Sequence, residues 1–292
     1  MPRTRGREWD QPMGKLDGKT VFITGGARGQ GRSHALVLGG EGANVVMMDN
    51  LVVDVPYQAY PGGSPEQFEE TQQLLEKIGT KFVATTGDVR SPADLRSAVE
   101  KGQSEFGQID VAVANAGICL ELMPTGEVTP EYWSSTIDTN LTGVFNTIQA
   151  VLPDMLSHGG GKIIATSSMG GRAGYANASA YCASKWGVIG LIKSVANEYG
   201  KSGITANAVC PTNVNSPMLH NEQSYGMFVP EAEHPTREQA EERMKMMHPL
   251  GIPYVEPEDI SQAILFLASD AARFITAEVL TVSAGMMAMN AG

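Results

Sequence analysis

Residues 20–50 read TVFITGGARGQGRSHALVLGGEGANVVMMDN. Val21, Phe22 and Ile23 form a short apolar run of the kind that fills a parallel strand buried on both faces, and Val45 to Met48 form another. Between them, TGGARGQG supplies Gly25, Gly29 and Gly31 for a tight turn. Such a turn lets the backbone approach a diphosphate set against the amides of the following helix, with Arg28 and Gln30 alongside. The second run ends at Asp49, where a carboxylate can accept both hydroxyls of an adenosine ribose. Strand, glycine turn, helix, strand and acid, in that order, predict a dinucleotide-binding unit. A glycine turn by itself would serve any tight strand-to-helix connection, and the acid after the second strand is what lifts the reading above that. Arg28 would suit a 2′-phosphate, but Asp49 would repel one and Asn50–Leu51 add no cation, so the expected nucleotide is NAD.

The same rhythm continues. KFVATTGDV ends in Asp88–Val89, and IDVAVANAG ends in Asn115–Ala116–Gly117, small residues against which a nucleotide can lie. Alternating strands and helices of this kind predict an α/β fold, a Rossmann-type doubly wound parallel sheet with helices on both faces. Ligand then sits at the C-terminal strand ends.

Composition agrees with one large domain: 292 residues, 42% hydrophobic and 18% charged, with no linker or repeat to divide them. A formal charge of −11 disfavours a nucleic-acid backbone, leaving a neutral or cationic small molecule as the easier partner. No apolar run approaches the roughly 20 residues a bilayer span needs. The basic start, MPRTRGREWDQPMGK, lacks the apolar core of a signal peptide, so residues 1–14 are read as a flexible arm and 15–292 as the domain. Cys119, Cys182 and Cys210 are an odd set without a CxxC pair, pointing to a reducing compartment and the cytoplasm. The five histidines are scattered without metal-ligand spacing, and no metal is expected.

GKIIATSSMGGRAGYANASAYCASKWGVIGLIKSVANEYG carries the chemistry. A strand leads to Ser167–Ser168, and a helix patterned by Val188, Leu191, Ile192 and Val195 carries Tyr181 and Lys185 four positions apart, on one face. A lysine beside a tyrosine stabilises phenolate and lowers the phenol toward working pH, which makes it an acid or base. Ser168 is placed to hydrogen-bond a substrate oxygen. A Tyr and Lys on one helix are more often a solvated pair; the neighbouring serine and the nucleotide unit favour catalysis here.

TGGARGQG, NAG, Asn140 in DTNLTGVF, Ser168 and Tyr181-Cys-Ala-Ser-Lys185 together resemble the short-chain dehydrogenase/reductases over roughly residues 15–290. The resemblance implies Tyr181 as general acid/base and Ser168 as the group that orients and polarises the reacting oxygen. It further implies Lys185 on the nicotinamide ribose and Asn140 holding a water in a proton relay. Pro211, Thr212 and Val214 would approach the nicotinamide carboxamide, with Thr212 where many members have glycine. Ala277 and Ser283–Ala284 also depart from the family's usual glycine and Asp–Gly. Helices around 130–157 and 180–200 would be the faces of a homotetramer.

Between Asp49 and the helix FEETQQLLEKIG lies LVVDVPYQAYPGGSPEQ, an insertion over about residues 51–67. Leu51, Val52, Val53, Val55, Tyr57 and Tyr60 suit a cover over something apolar, and Pro56, Pro61, Gly62 and Gly63 keep it out of helix. With GARGQGRSHA and CPTNVN, this insertion resembles the mycofactocin-associated, carveol dehydrogenase-like subgroup. Membership would imply NAD held without exchange and reoxidised in place by mycofactocin, the insertion acting as a lid. A surface loop or subunit contact is the plainer alternative. A second variable stretch, about 213–256, would form the substrate lid. Its Met218, Leu219, Tyr225, Met227, Phe228 and Met244–Met247 region would wall a pocket for a hydrophobic secondary alcohol or its ketone. An ordinary reductase with exchangeable NAD, acting on a steroid or 3-oxoacyl group, and a nucleotide-sensing binding module stay open as alternatives.

Overall fold

The apolar runs become the strands of one sheet. The computed structural model describes residues 14–52 and 54–289; the arm expected over residues 1–14 lies outside them except for Gly14, as does Val53 of the insertion. The strands are β1 (Thr20–Thr24), β2 (Asn44–Asp49), β3 (Phe82–Thr86), β4 (Val111–Ala114), β5 (Gly161–Thr166), β6 (Ile204–Pro211) and β7 (Val279–Val282). All pair in parallel in the order β3-β2-β1-β4-β5-β6-β7.

Side chains alternate along each strand between two packed layers. Val21, Ile23, Val45 and Met47 face one layer, with Leu38 of α1 (Gly29–Gly40), Leu75 of α2 (Pro65–Lys77) and Ile260 and Ile264 of α9 (Pro257–Ala268). Phe22, Val46 and Met48 face the other, with Leu95 of α3 (Pro92–Phe106), Ile148 of α5 (Gly143–Ser157) and Val188 and Ile192 of α6 (Ser179–Tyr199). Burial on both sides is why these strands read as unbroken apolar runs. The chain winds outward in both directions from β1 and β4, so a crevice opens at their C-terminal ends, where Gly25 and Asn115 lie.

The remaining helices are α4 (Pro130–Ile137), α7 (Glu222–Phe228), α8 (Arg237–Met247) and α10 (Met286–Met289). Ser64 and Gln67 form a reciprocal capping box that starts α2 at Pro65, so the irregular part of the insertion ends inside the boundary expected from sequence. By contrast α1 starts without a side-chain cap at Arg28, which leaves its first amides without a side-chain acceptor. The stretch from 213 to 256 is pinched at its base by a parallel bridge between Val214 and Val255, and folds as α7 and α8 around Leu219, Val229, Ala240 and Met244. Met244 and Tyr225 therefore pack inside the lid itself, where sequence had them facing a pocket.

Ala277 and Ala284, the departures from the family glycines, both adopt left-handed backbone, with φ of 62° and 48°. Glycine adopts this conformation without strain, which accounts for the usual residue at such positions.

Candidate functional site

The glycine turn builds a cradle. A Cβ on Gly31 would stand 1.8 Å from the carbonyl oxygen of Gly25, so nothing but glycine closes this turn, whereas Gly29, at φ 54°, faces open space. With Gln30, Asn115, Ala116 and Gly117 these residues line a cavity of about 180 Å³ that extends to Asp49 and Asn50. The Asp49 carboxylate accepts from the amides of Ala27 (2.9 Å) and Leu51 (3.3 Å) and forms no ion pair among the described residues. Thr24 Oγ1 accepts from the amides of Asn115 and Ala116, both at 3.1 Å, while Asn115 Nδ2 donates to the Thr24 carbonyl at 3.1 Å. The glycine cradle, the uncapped start of α1 and the acid at the end of β2 fit a dinucleotide whose adenosine ribose carries free hydroxyls.

Of the outer cofactor contacts expected from sequence, one keeps its place and two are corrected. Arg28 lines the cavity, donates to the carbonyl of Pro61 and lies 5.8 Å from the centre of the Tyr60 ring, its guanidinium pulled below its ordinary pKa by burial. Asp88 does not line the cavity; its carboxylate is clasped by Arg90 at 2.6 Å, and Gly87 and Val89 form that wall. Leu51 turns into the core beside α2, and Val52 takes its place at the cavity.

The insertion lies over this cavity. A Cβ on Gly63 would meet the Asp49 carboxylate at 3.1 Å, so the backbone passes directly across the acid. Its other anchor is the segment that follows β4, which sequence did not indicate. The Tyr57 carbonyl accepts from the Glu121 amide (2.6 Å), its ring stands edge-on to Tyr132 (5.6 Å between centres), and Val55 packs against Leu120, Tyr132 and Ala180. Tyr60 is 8% exposed, and its hydroxyl accepts from the Cys119 amide at 3.1 Å. Val52 and the Tyr57 ring are exposed, so the inward cover is carried by Val55 and Tyr60.

Beyond the cradle opens a chamber of about 1130 Å³. Ser168, Tyr181, Lys185, Pro211, Thr212 and Val214 line it, and Ile118, Leu120, Met218, Met227, Phe228, Met246 and Met247 make much of its wall apolar. Ser168 Oγ accepts from the Gly170 amide at 3.0 Å, which fixes its rotamer beside the phenol. A Cβ on Gly170 would come within 3.1 Å of the Tyr181 ring, so glycine permits this close approach. Lys185 is 4% exposed and donates to the Thr166 carbonyl at 2.9 Å. Burial pulls its ammonium down to about 8.

The phenol departs from expectation. Burial raises its pKa, the nearby Cys119 thiol adds to the rise, and the Ser168 hydroxyl opposes it. Asn140 is held tightly as well. It is fully buried in a five-residue π-helical turn, Asp138–Thr142. Its amide accepts from the Ile118 amide and donates to the Ile118 carbonyl and to Ser184 Oγ, so both N–H donors are taken and a second lone pair on Oδ1 is what it has left to offer.

Sequence missed Cys119, Thr24 and His248, and named Tyr60 only as part of an apolar cover. His248 is buried; its Nδ1 lies 2.7 Å from the Ile252 carbonyl, so Nδ1 carries the proton and Nε2 accepts from Thr212 Oγ1 at 2.7 Å. The only advance signal was threonine in a glycine position. Cys119, Cys182 and Cys210 are free thiols. Among the described residues no three His, Cys, Asp or Glu are placed to hold a metal, and no helix is long and apolar enough to cross a membrane.

A family model described as enoyl-(acyl carrier protein) reductase matches residues 25–287. The (-)-trans-carveol dehydrogenase of Rhodococcus erythropolis is 41% identical over 276 residues, covering 94% of this chain and 99% of that protein. Cyclohexanol dehydrogenase of Acinetobacter sp. (strain SE19) is 35% identical over 266 residues, 90% of this chain and 92% of its own. The crystal structure of carveol dehydrogenase from Mycobacterium avium in complex with NAD superposes with a TM-score of 0.91 at 42% identity, covering 94% and 99% of the two chains.

Proposed function

The chain belongs to the short-chain dehydrogenase/reductase family, and from that premise we propose that it is an NAD-dependent oxidoreductase interconverting a hydrophobic secondary alcohol and its ketone. We further propose that its NAD is held under the insertion and reoxidised there by mycofactocin. The observation that carries the reading is the convergence of Ser168, Tyr181 and Lys185 on one wall of an apolar chamber that shares Gln30, Asn115 and Gly117 with the nucleotide cavity.

NAD when bound supplies the hydride acceptor and, oxidised, a positive charge near the phenol. Tyr181 takes the hydroxyl proton as the alcohol carbon gives up its hydride, and returns it in the reverse direction. Ser168, fixed by the Gly170 amide, donates to the reacting oxygen. Lys185, held by Thr166, would hold the ribose of the nicotinamide and favour phenolate through its charge. Asn140, pinned to Ile118 and Ser184, would hold the water of the proton relay. Thr212, oriented by His248, offers a lone pair to the carboxamide.

The Met-rich wall suits an alicyclic or terpenoid alcohol, in keeping with relatives named for carveol and cyclohexanol. Trp133 on α4, Phe145 on α5 and Trp186 on α6 are exposed aromatics on the helices proposed as tetramer faces. The test is turnover of carveol and cyclohexanol by the protein as purified, with an artificial electron acceptor and no added NAD. Turnover under these conditions supports the coupled reading. Strict dependence on added NAD leaves an ordinary dehydrogenase, and no turnover in either condition leaves a binding module.

A further inference from the structure

Tyr60 belongs to the insertion, yet it lines both the nucleotide cavity and the reaction chamber. Its hydroxyl accepts from the Cys119 amide, and the hydroxyl proton finds no acceptor among the described residues. A second orphan sits at the same waist. Gln30, on the first turn of α1, also lines both cavities, and its side-chain oxygen is buried without a hydrogen-bond partner. A free donor and a free acceptor at the junction of two cavities cost stability unless a polar ligand takes them up.

We propose that Tyr60 and Gln30 bind the bridge of the dinucleotide on its nicotinamide side, with Tyr60 donating to an oxygen of the second phosphate and Gln30 accepting from a hydroxyl of the second ribose. The proposal rests on the reading of this cavity as an NAD site. The insertion then holds the nucleotide at its middle, rather than only covering the adenosine end beside Asp49. Arg28 serves the same purpose from outside, fixing Pro61 and lying against the Tyr60 ring so that the hydroxyl stays at the waist. The phenol is raised above its ordinary value by burial and stays protonated, as a donor must.

The test uses the protein as purified and asks how much AMP, or how much ADP-ribose, displaces half of the bound NAD, read by native mass spectrometry. ADP-ribose contains the second phosphate and the second ribose, and AMP contains neither. Tyr60→Phe keeps the ring and loses the proton, so the AMP:NAD ratio at half displacement should fall about tenfold, while the ADP-ribose:NAD ratio stays within about twofold. Gln30→Met should give the same split, which covers the case in which Tyr60→Phe folds poorly. An unchanged AMP ratio overturns the proposal, because it means no contact with the bridge. A fall in the ADP-ribose ratio equal to that for AMP also overturns it, placing Tyr60 on the nicotinamide. Wild-type protein that takes up none of the three nucleotides would instead sink the NAD reading itself.

Discussion

Lys185 donates to the carbonyl of Thr166 at 2.9 Å and stands 5.8 Å from the centre of the Tyr181 ring, so β5 and not the phenol fixes the lysine. The two side chains share a helix face, as their spacing requires, but the ammonium is committed to the end of the strand. Without nucleotide, burial keeps the phenol above its ordinary pKa.

Separate roles follow for the pair. Tyr181→Phe should cost about 10²–10⁴ in kcat while leaving the NAD content of the protein unchanged. Lys185→Met should reduce both turnover and retained NAD. Measuring kcat and nucleotide per chain on the two variants checks this; loss of NAD from the phenylalanine variant would refute the division.

Acid stability should be governed in part by His34. Burial between α1 and α9 lowers its pKa to about 3, with Nδ1 2.8 Å from Ser261 Oγ. The native imidazole is neutral above about 3, whereas the unfolded one takes a proton below its ordinary 6.5. The unfolded state thus binds the extra proton in that window, and stability is lost as pH falls from about 6.5 toward 3. Urea unfolding of wild type and His34→Gln at pH 7 and pH 5 should show the wild type losing more over that interval; equal losses would count against it.

The two turn glycines should behave differently. Gly31→Ala drives a Cβ into the Gly25 carbonyl and should destabilise by about 3 kcal/mol or more and abolish NAD retention. Gly29→Ala meets no atom within 4 Å and should cost only the left-handed strain, about 1–2 kcal/mol. Thermal unfolding with nucleotide quantitation separates them, and equal losses would mean the turn is more plastic than this geometry.

Ala277 and Ala284 offer stability in the other direction. Replacing either by glycine removes about 1–2 kcal/mol of left-handed strain and adds about 0.4–1 kcal/mol of unfolded-state entropy. Each variant should therefore gain about 0.5–1 kcal/mol by denaturant titration, with activity unchanged. A loss of stability would show that the methyl groups pack better than their backbone suggests.

The strands and the catalytic trio were legible because their signals are local. Val21–Ile23 and Val45–Met48 are buried on both faces, and Tyr181 and Lys185 lie one helical turn apart. Long-range pairs left no such trace. Tyr60 meets Cys119 and Thr212 meets His248 across stretches whose spacing carries no period, and nothing in the sequence shows the bond from Arg28 to Pro61. Met244 read as pocket wall for a related reason: helical spacing shows that a face is apolar but not which cavity it meets.

Retention of NAD under the insertion is tested most directly by purifying the protein without added nucleotide, counting NAD per chain, and following exchange with isotopically labelled NAD. Wild type should carry close to one NAD per chain and exchange it more slowly than it turns over. Val55→Asp, which sets a charge against Leu120 and Tyr132, should speed that exchange. Chains that arrive empty, or that exchange NAD faster than turnover, would contradict a cofactor held in place.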